Sequence, residues 1–184
     1  MEPVVTMAPR NSLKMSAART VAFAAALVLA GVSATRADDG AVAPPPGATL
    51  ALEVIADGVQ IYACEAKGSG FEWVFKSPEA NLFDRSGRQV GTHFAGPSWK
   101  TEDGTSIVGE IVAKQDAPEK GAIPWLLLRA KSHDGTGPLA ETAFIRRADT
   151  RGGAAPGSGC DLAHSGAQAR MRYSATYQFF TAAK

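Results

Sequence analysis

The sequence lacks the short motifs that mark the common enzyme classes. Its 184 residues contain no GxSxG, HExxH or GxxxxGK[ST] motif, and no GxGxxG opens a helix after a strand. There are only two cysteines and three histidines, with no CxxC or HxxxH spacing of the kind that holds zinc. Basic and acidic residues number 19 and 18, so no excess of positive charge favours nucleic acid. We therefore expect no cofactor, no bound metal and no nucleic-acid partner.

Long hydrophobic runs are also missing. The longest apolar run, residues 21–31, is much shorter than the roughly 20 residues that span a bilayer. Basic residues up to Arg19 precede it and small residues such as Ala34 and Ala37 follow, which is the pattern of a signal peptide. We predict a signal peptide over residues 1–37, export to the periplasm or the extracellular space, and no stable membrane span after cleavage. The alternative is a buried N-terminal helix.

Removing this leader changes the charge of the protein. Residues 1–37 hold four of the basic residues and one of the acidic ones, so 15 basic and 17 acidic residues remain, a net charge of −2. Residues 38–49, DDGAVAPPPGAT, follow; their three consecutive prolines remove amide donors and favour an extended conformation. We predict a Pro-rich linker over 38–49 and a single β domain over 50–184.

The predicted domain has short alternating runs in place of long helical periodicity. Asp57-Gly58 separates the runs 50–56 and 59–64, and this dipeptide is typical of a tight hairpin turn. Ser77-Pro78 is expected to end the run that begins at Phe71, and residues 170–179 alternate as a half-buried strand does. About eight or nine short strands predict an all-β fold, either an antiparallel sandwich or a partly closed barrel.

Large apolar side chains in these runs are the expected core. We predict that seven of them are buried: Trp73, Phe75, Ile111, Trp125, Leu127, Tyr173 and Tyr177.

Both cysteines lie in the predicted exported domain. Cys64 ends a strand-like run and Cys160 follows a glycine-rich stretch. An oxidising compartment favours pairing, so we predict a Cys64–Cys160 disulfide. The alternative is a metal site that uses Cys160 and His164.

The stretch 91–113 holds the residues best suited to chemistry. His93 lies in a strand-like run, on the face opposite Phe94, and a loop with Trp99 and Asp103 follows. His93 is either a hydrogen-bonded, partly buried histidine or a general base oriented by a carboxylate.

Other polar residues complete the list of candidates. The carboxylate that orients His93 would be Asp103 or Asp84, and His164, in a predicted capped turn, is a further catalytic candidate. Residues 132–134, Ser-His-Asp, are interpreted as a polar turn, because neighbours in a chain do not form a triad relay easily.

Five segments resemble one known family. They are GVQIYAC (58–64), WVFKSPEANLFD (73–84), GTHFAGPSWKTEDG (91–104), IPWLLLRAKS (123–132) and TRGGAAPGSGCDLAH (150–164). Together they are similar to the family named domain of unknown function 3455, whose members are exported bacterial proteins and fungal proteins. The resemblance implies one exported domain and implies no mechanism.

Two functions of different classes remain. The first is a non-enzymatic cell-envelope or extracellular binding module, in which Trp99, Tyr62 and His93 contact a small molecule, a glycan or a protein. The second is a small secreted hydrolase or isomerase that uses His93 with a nearby carboxylate.

Overall fold

A computed structural model describes residues 40–183, and the eight strands in that part of the chain form one antiparallel sheet. The predicted signal peptide, residues 1–37, lies outside the described residues. The strands are β1 Thr49–Lys67, β2 Gly70–Phe83, β3 Gln89–Phe94, β4 Ser98–Thr101, β5 Ser106–Gln115, β6 Trp125–Asp134, β7 Thr142–Gly152 and β8 Gln168–Thr181. The all-β prediction is confirmed. Two single-turn 3-10 helices, Gly40–Val42 and Leu162–His164, complete the regular structure of residues 40–183.

The sheet closes on itself. Each strand pairs with its neighbour in sequence, and β1 also pairs with β8, from Thr49 opposite Thr181 to Ala63 opposite Gln168. Every strand therefore has a partner on both sides over part of its length, although β2 pairs with β3 only at residues 80–83 and β5 pairs with β4 only at residues 106–108. Of the two predicted arrangements, the structure has the barrel, and its ring of hydrogen-bonded strands is complete. Among residues 40–183, no helix has the length and apolar character needed to cross a bilayer.

The hairpin predicted at Asp57-Gly58 is wrong, because both residues lie inside the single 19-residue strand β1. Gly58 faces the backbone of β2, where an added Cβ would lie 2.5 Å from the Cα of Ala80 and closer still to the Glu79 carbonyl oxygen. The glycine is needed here for close approach of two strands, and its φ is not positive as a type I′ turn requires.

The predicted strand end at Ser77-Pro78 is also wrong, because β2 continues to Phe83. Pro78 pairs with Gln60 one residue beyond a register shift between Ile61 and Tyr62. A β-bulge interrupts the regular ladder, and proline is tolerated in strands at such points because it has no N–H to donate.

Apolar side chains pack on both faces of the sheet. The larger cluster draws on every strand except β3 and fills the interior, with Trp99, Tyr177 and Phe179 among its largest members. A smaller cluster on the outer face joins Trp125 and Leu127 to Val42. Val42 is fully buried, so the segment predicted to be a linker already contacts the fold ahead of β1.

Most of the predicted core residues are buried. Trp125, Leu127, Tyr173 and Tyr177 are at most 7% exposed, and Trp73 is half-buried. The other two predictions are wrong: Phe75 is 49% exposed and Ile111 is 58% exposed. Both side chains stand at the mouth of an internal cavity, where the alternation of the strand places them on the inner face but no opposite wall covers them.

The predicted disulfide between Cys64 and Cys160 is present, with the two Cα atoms 5.3 Å apart. It joins the C-terminal part of the long first strand to the loop that precedes β8. In that loop Asp161 caps the short helix Leu162–His164 by accepting a hydrogen bond from the His164 amide, 3.1 Å away.

Candidate functional site

A cavity of about 360 Å³ opens at one end of the closed sheet. Its size lies at the lower end of the range that is usual for small-molecule sites. The lining residues come from six strands and the loops beside them: Gln60, Tyr62, Phe75, Pro78, His93, Gly96, Pro97, Ile111, Lys114, Ile123, Pro124, Leu126 and Arg147. Apolar side chains predominate, and the polar groups are few.

His93 is held rigidly in the wall of this cavity. It lies on β3, is 3% exposed, and stacks on Trp99 with ring centroids 4.5 Å apart. Tyr177 meets the histidine ring edge-on at 5.0 Å. The Nδ1 atom lies 2.8 Å from the carbonyl oxygen of Ser98. Because a carbonyl only accepts, Nδ1 carries the proton of the neutral ring and Nε2 keeps its lone pair.

The environment of His93 keeps the ring uncharged. Burial lowers the pKa of His93 from 6.5 to about 3, with a further lowering by the charge of Arg147 and an opposing effect of the Ser98 hydrogen bond. The ring is therefore neutral at physiological pH. A neutral ring with a free lone pair accepts hydrogen bonds but is a weak base for proton abstraction.

Arg147 supplies the positive charge of the inner cavity. It lies on β7 opposite Tyr177 and Leu126, and its Nε and Nη2 atoms donate to the carbonyl oxygen of Pro124 at 3.0 and 2.8 Å. No carboxylate within residues 40–183 forms an ion pair with it. Two of the five guanidinium N–H groups are used by Pro124, so three are left for other partners.

Several buried polar atoms near Arg147 lack a hydrogen-bond partner of normal geometry. They are the amide nitrogen of Gln60 and the hydroxyls of Tyr173 and Tyr177. The Tyr173 hydroxyl nevertheless lies within reach of Gln60 and Tyr177, and the Tyr177 hydroxyl lies within reach of Arg147. Burial raises the pKa of both of these tyrosines. The hydroxyl of Tyr62, in contrast, donates to the carbonyl oxygen of Gly153 at 2.7 Å. Of these three side chains only Gln60 lines the cavity, so its amide nitrogen is the donor that a molecule in the cavity can reach.

The mouth of the cavity is apolar and exposed. Phe75 and Ile111 stand on opposite sides of it with about half of each side chain in water. Lys114, which is exposed, lies on the same side as Ile111. Among the described residues that line the cavity none is acidic. The mouth therefore combines apolar contact area with positive charge.

The structure separates the predicted site residues into two groups. Tyr62 and His93 line the cavity, and Trp99 lies behind His93. Trp99 is on β4, not in a loop, and is 1% exposed, so His93 lies between it and the cavity. The stacked pair therefore forms one wall.

The carboxylates proposed to orient His93 are engaged in their own turns. Asp103 accepts hydrogen bonds from Thr101 Oγ1 at 2.7 Å and from the Thr105 amide at 2.9 Å. Asp84 accepts from Ser86 and Arg88, and these bonds lower its pKa to about 2. Neither carboxylate is hydrogen-bonded to His93, which is oriented by a backbone carbonyl.

The remaining histidines lie elsewhere. His164 is exposed, and its Nδ1 atom donates to Asp161 at 2.7 Å, beside the disulfide. His133 lies in β6, where its Nε2 atom donates to the Thr142 carbonyl oxygen at 2.6 Å, so the predicted polar turn is the end of a strand. Because Cys160 is bonded to Cys64, its sulfur is not a thiolate ligand, and the alternative metal site is wrong.

Three polar residues of the cavity were not predicted from the sequence: Arg147, Gln60 and Lys114. A signal was present at Arg147, because period-two alternation places it on the same face of its strand as Ile145, which is fully buried. A charged residue on a buried face is unusual without a partner. Gln60 carried a similar signal, because alternation places it on the same face as Tyr62, which is buried.

Comparison with known proteins identifies the family. The family described as "Protein of unknown function (DUF3455)" matches residues 44–181, a range that takes in all eight strands and every cavity residue named above. No curated protein and no solved structure matches the chain. The resemblance seen in the five sequence segments is thus confirmed, and the chain belongs to the DUF3455 family.

Proposed function

We propose that this protein is an exported, non-enzymatic binding module that holds a small molecule in the cavity of its closed sheet. The observation that carries the proposal is the combination of an exposed apolar mouth with buried polar atoms that have no partner inside. Phe75 and Ile111 offer contact area at the mouth, and Gln60 offers an unpaired donor deeper in the cavity. Small-molecule sites commonly have this mixture of apolar walls and few polar groups.

Export is part of the same proposal. A disulfide that closes a 96-residue separation is typical of oxidising compartments, and no helix within residues 40–183 would hold the protein in a bilayer. These features support a periplasmic or extracellular location. They agree with the signal peptide predicted over residues 1–37.

The alternative of a secreted hydrolase or isomerase has less support. A general base works best with a pKa near the working pH, and that of His93 is lowered to about 3. Its orienting partner is the carbonyl oxygen of Ser98, which does not stabilise an imidazolium as a carboxylate does. The geometry at His93 suits hydrogen-bond acceptance from a ligand better than proton transfer.

A screen with a matched pair of variants tests the proposal. The processed protein is screened by ligand-observed NMR against small aromatic compounds with carboxylate, amide or amine head groups. Ile111→Trp places a bulky ring in the mouth, whereas Val112→Trp places the same ring at the next residue, which is also about half exposed but does not line the cavity. We expect ligands of the wild-type protein to be lost in Ile111→Trp and kept in Val112→Trp. No ligand at all, or ligands unaffected by Ile111→Trp, would contradict the proposal.

A further inference from the structure

The charged side chains that line the cavity among the described residues are all positive. Arg147 lies inside and Lys114 lies at the mouth, and none of the described lining residues is acidic. Neither cation has a carboxylate partner within residues 40–183. Elsewhere on the surface, arginines such as Arg85 and Arg170 do have one, in Glu53 and Glu79 respectively. The positive charge of the cavity is therefore not neutralised by a carboxylate within the described residues.

Arg147 is placed so that a ligand can reach it. Its contacts with Pro124 use the Nε side of the guanidinium, so both N–H groups of Nη1 and one of Nη2 are free of that carbonyl. A planar guanidinium edge of this kind matches the two oxygens of a carboxylate. A carbonyl oxygen fixes the orientation of the side chain without neutralising its charge, so an anion gains the full charge interaction.

The neighbouring groups favour a head group with a single negative charge. The Gln60 side chain is 3% exposed, lines the cavity, and has an unpaired amide nitrogen that donates and does not accept. The His93 ring beside it is neutral and is hydrogen-bonded to Ser98 through Nδ1, so it adds no second positive charge. One half-buried cation and one buried amide donor fit a carboxylate better than a doubly charged phosphate.

The outer part of the cavity fits the rest of such a molecule. Phe75, Ile111 and the rings of Pro78, Pro97 and Pro124 form walls with little polar character. An apolar body gains free energy in proportion to the area that it removes from water. A molecule that carries a carboxylate at one end and an apolar body at the other would bury both in matching surroundings.

We propose that the cavity binds a small amphipathic carboxylate, with its head group held by Arg147 and Gln60 and its apolar body between Phe75 and Ile111. This inference rests on the proposed binding function and names the class of ligand. It assigns Arg147 as the residue that selects the head group. The apolar walls contribute affinity that does not depend on charge.

The test compares two probes with the same body. 1-Naphthaleneacetate and 1-naphthaleneacetamide differ only in whether the head group is an anion or a neutral amide, and isothermal titration calorimetry at pH 7 gives both dissociation constants. We expect the processed wild-type protein to bind the carboxylate on the order of tenfold more tightly, a difference of about 1.4 kcal/mol. Arg147→Met should remove this preference and leave binding of the amide almost unchanged. Arg147→Lys should keep part of it, since a lysine retains the charge without the planar pair of donors.

Arg172→Met is the matched control, because Arg172 is exposed on β8 and does not line the cavity. It should keep the preference of the wild-type protein. Equal affinities for the two probes in the wild-type protein would overturn the carboxylate assignment but not the proposed binding function. This comparison uses the wild-type protein alone, so it does not depend on whether any variant folds. Failure of both probes to bind would overturn the assignment and count against the proposed function as well. A preference that survives in folded Arg147→Met would also overturn the assignment.

Discussion

The imidazole of His93 lies flat on the indole of Trp99, with the ring planes 9° apart and the centroids 4.5 Å apart. The two residues are directly opposite each other in the β3–β4 ladder, so the backbone register sets the stack. Stacked aromatic pairs contribute about 0.5–1.5 kcal/mol beyond their buried area. Because His93 lines the cavity, the stack places the Trp99 indole directly behind the cavity wall, where its fluorescence can report on binding.

Burial of neutral His93 predicts that the protein loses stability in mild acid. The folded pKa of about 3 lies below the unfolded value near 6.5, so the unfolded chain binds a proton first as the pH falls. The stabilising contribution is complete above pH 6.5 and decreases by about 1.4 kcal/mol per pH unit down to the folded pKa. We expect a loss of about 2 kcal/mol between pH 7 and pH 5, measured by urea unfolding. His93→Gln does not titrate and should show a flatter profile; identical profiles would contradict this.

Gly58 and Gly70 form a matched pair for testing close strand approach. A methyl group on Gly58 would collide with the backbone of β2, whereas nothing lies within 4 Å of one on Gly70. We expect Gly58→Ala to lower the free energy of unfolding by about 1–3 kcal/mol, as overpacking does, and Gly70→Ala to change it by less than about 0.5 kcal/mol. Chemical denaturation of both variants measures this. Similar effects of the two substitutions would show that space at Gly58 is not the constraint.

Loss of the disulfide should weaken the fold without changing its architecture. Cys64 and Cys160 are 96 residues apart in sequence, and cross-links over separations of this size stabilise by about 2–5 kcal/mol. The double variant Cys64→Ala/Cys160→Ala should unfold at lower temperature and keep its β-sheet circular dichroism. Reduced wild-type protein provides the control and should match the variant. An unchanged melting temperature would contradict the prediction.

Truncation of two large aromatic residues should have very different effects. Trp125 is 3% exposed in the outer cluster with Val42, so Trp125→Ala should cost about 3–5 kcal/mol. Phe75 is 49% exposed at the cavity mouth, so Phe75→Ala should cost less than about 1 kcal/mol and should mainly weaken ligand binding. Phe94→Ala, at a residue that is 41% exposed but outside this cavity, is the control. Unfolding curves and calorimetry with the naphthalene probe separate the two effects.

The strands were largely predictable because alternation is a local property of the sequence. Residues 170–179, for example, were predicted to alternate as a half-buried strand, and they lie in β8. The Asp57-Gly58 hairpin failed because glycine serves two purposes that sequence alone does not distinguish, positive φ and the absence of a Cβ. Deciding between them requires the neighbouring strand, which is found more than 20 residues further along the chain.

The candidate site was predictable only in part, for a similar reason. Tyr62 and His93 were predicted as site residues from their residue types, and both line the cavity. Arg147 meets them only because closure of the sheet brings β7 next to β8 and across from β3, a placement that no local pattern encodes. Phe75 and Ile111 face inward by alternation, but their exposure depends on which opposite wall is missing.

The pairing of β1 with β8 has a consequence for the order of events during folding. The longest strand, β1, has β8 as one of its two partners, and β8 is the last strand in the sequence. The ring therefore cannot close until residues 168–181 have been made. Intermediates in which β8 has not yet paired expose the edges of β1 and β7, whose free backbone hydrogen-bonding groups can pair with other chains. Contacts between such distant parts of a chain form slowly, on the order of milliseconds to seconds for β proteins of this kind. The newly made protein therefore has a period in which a chaperone that covers strand edges would protect it from aggregation.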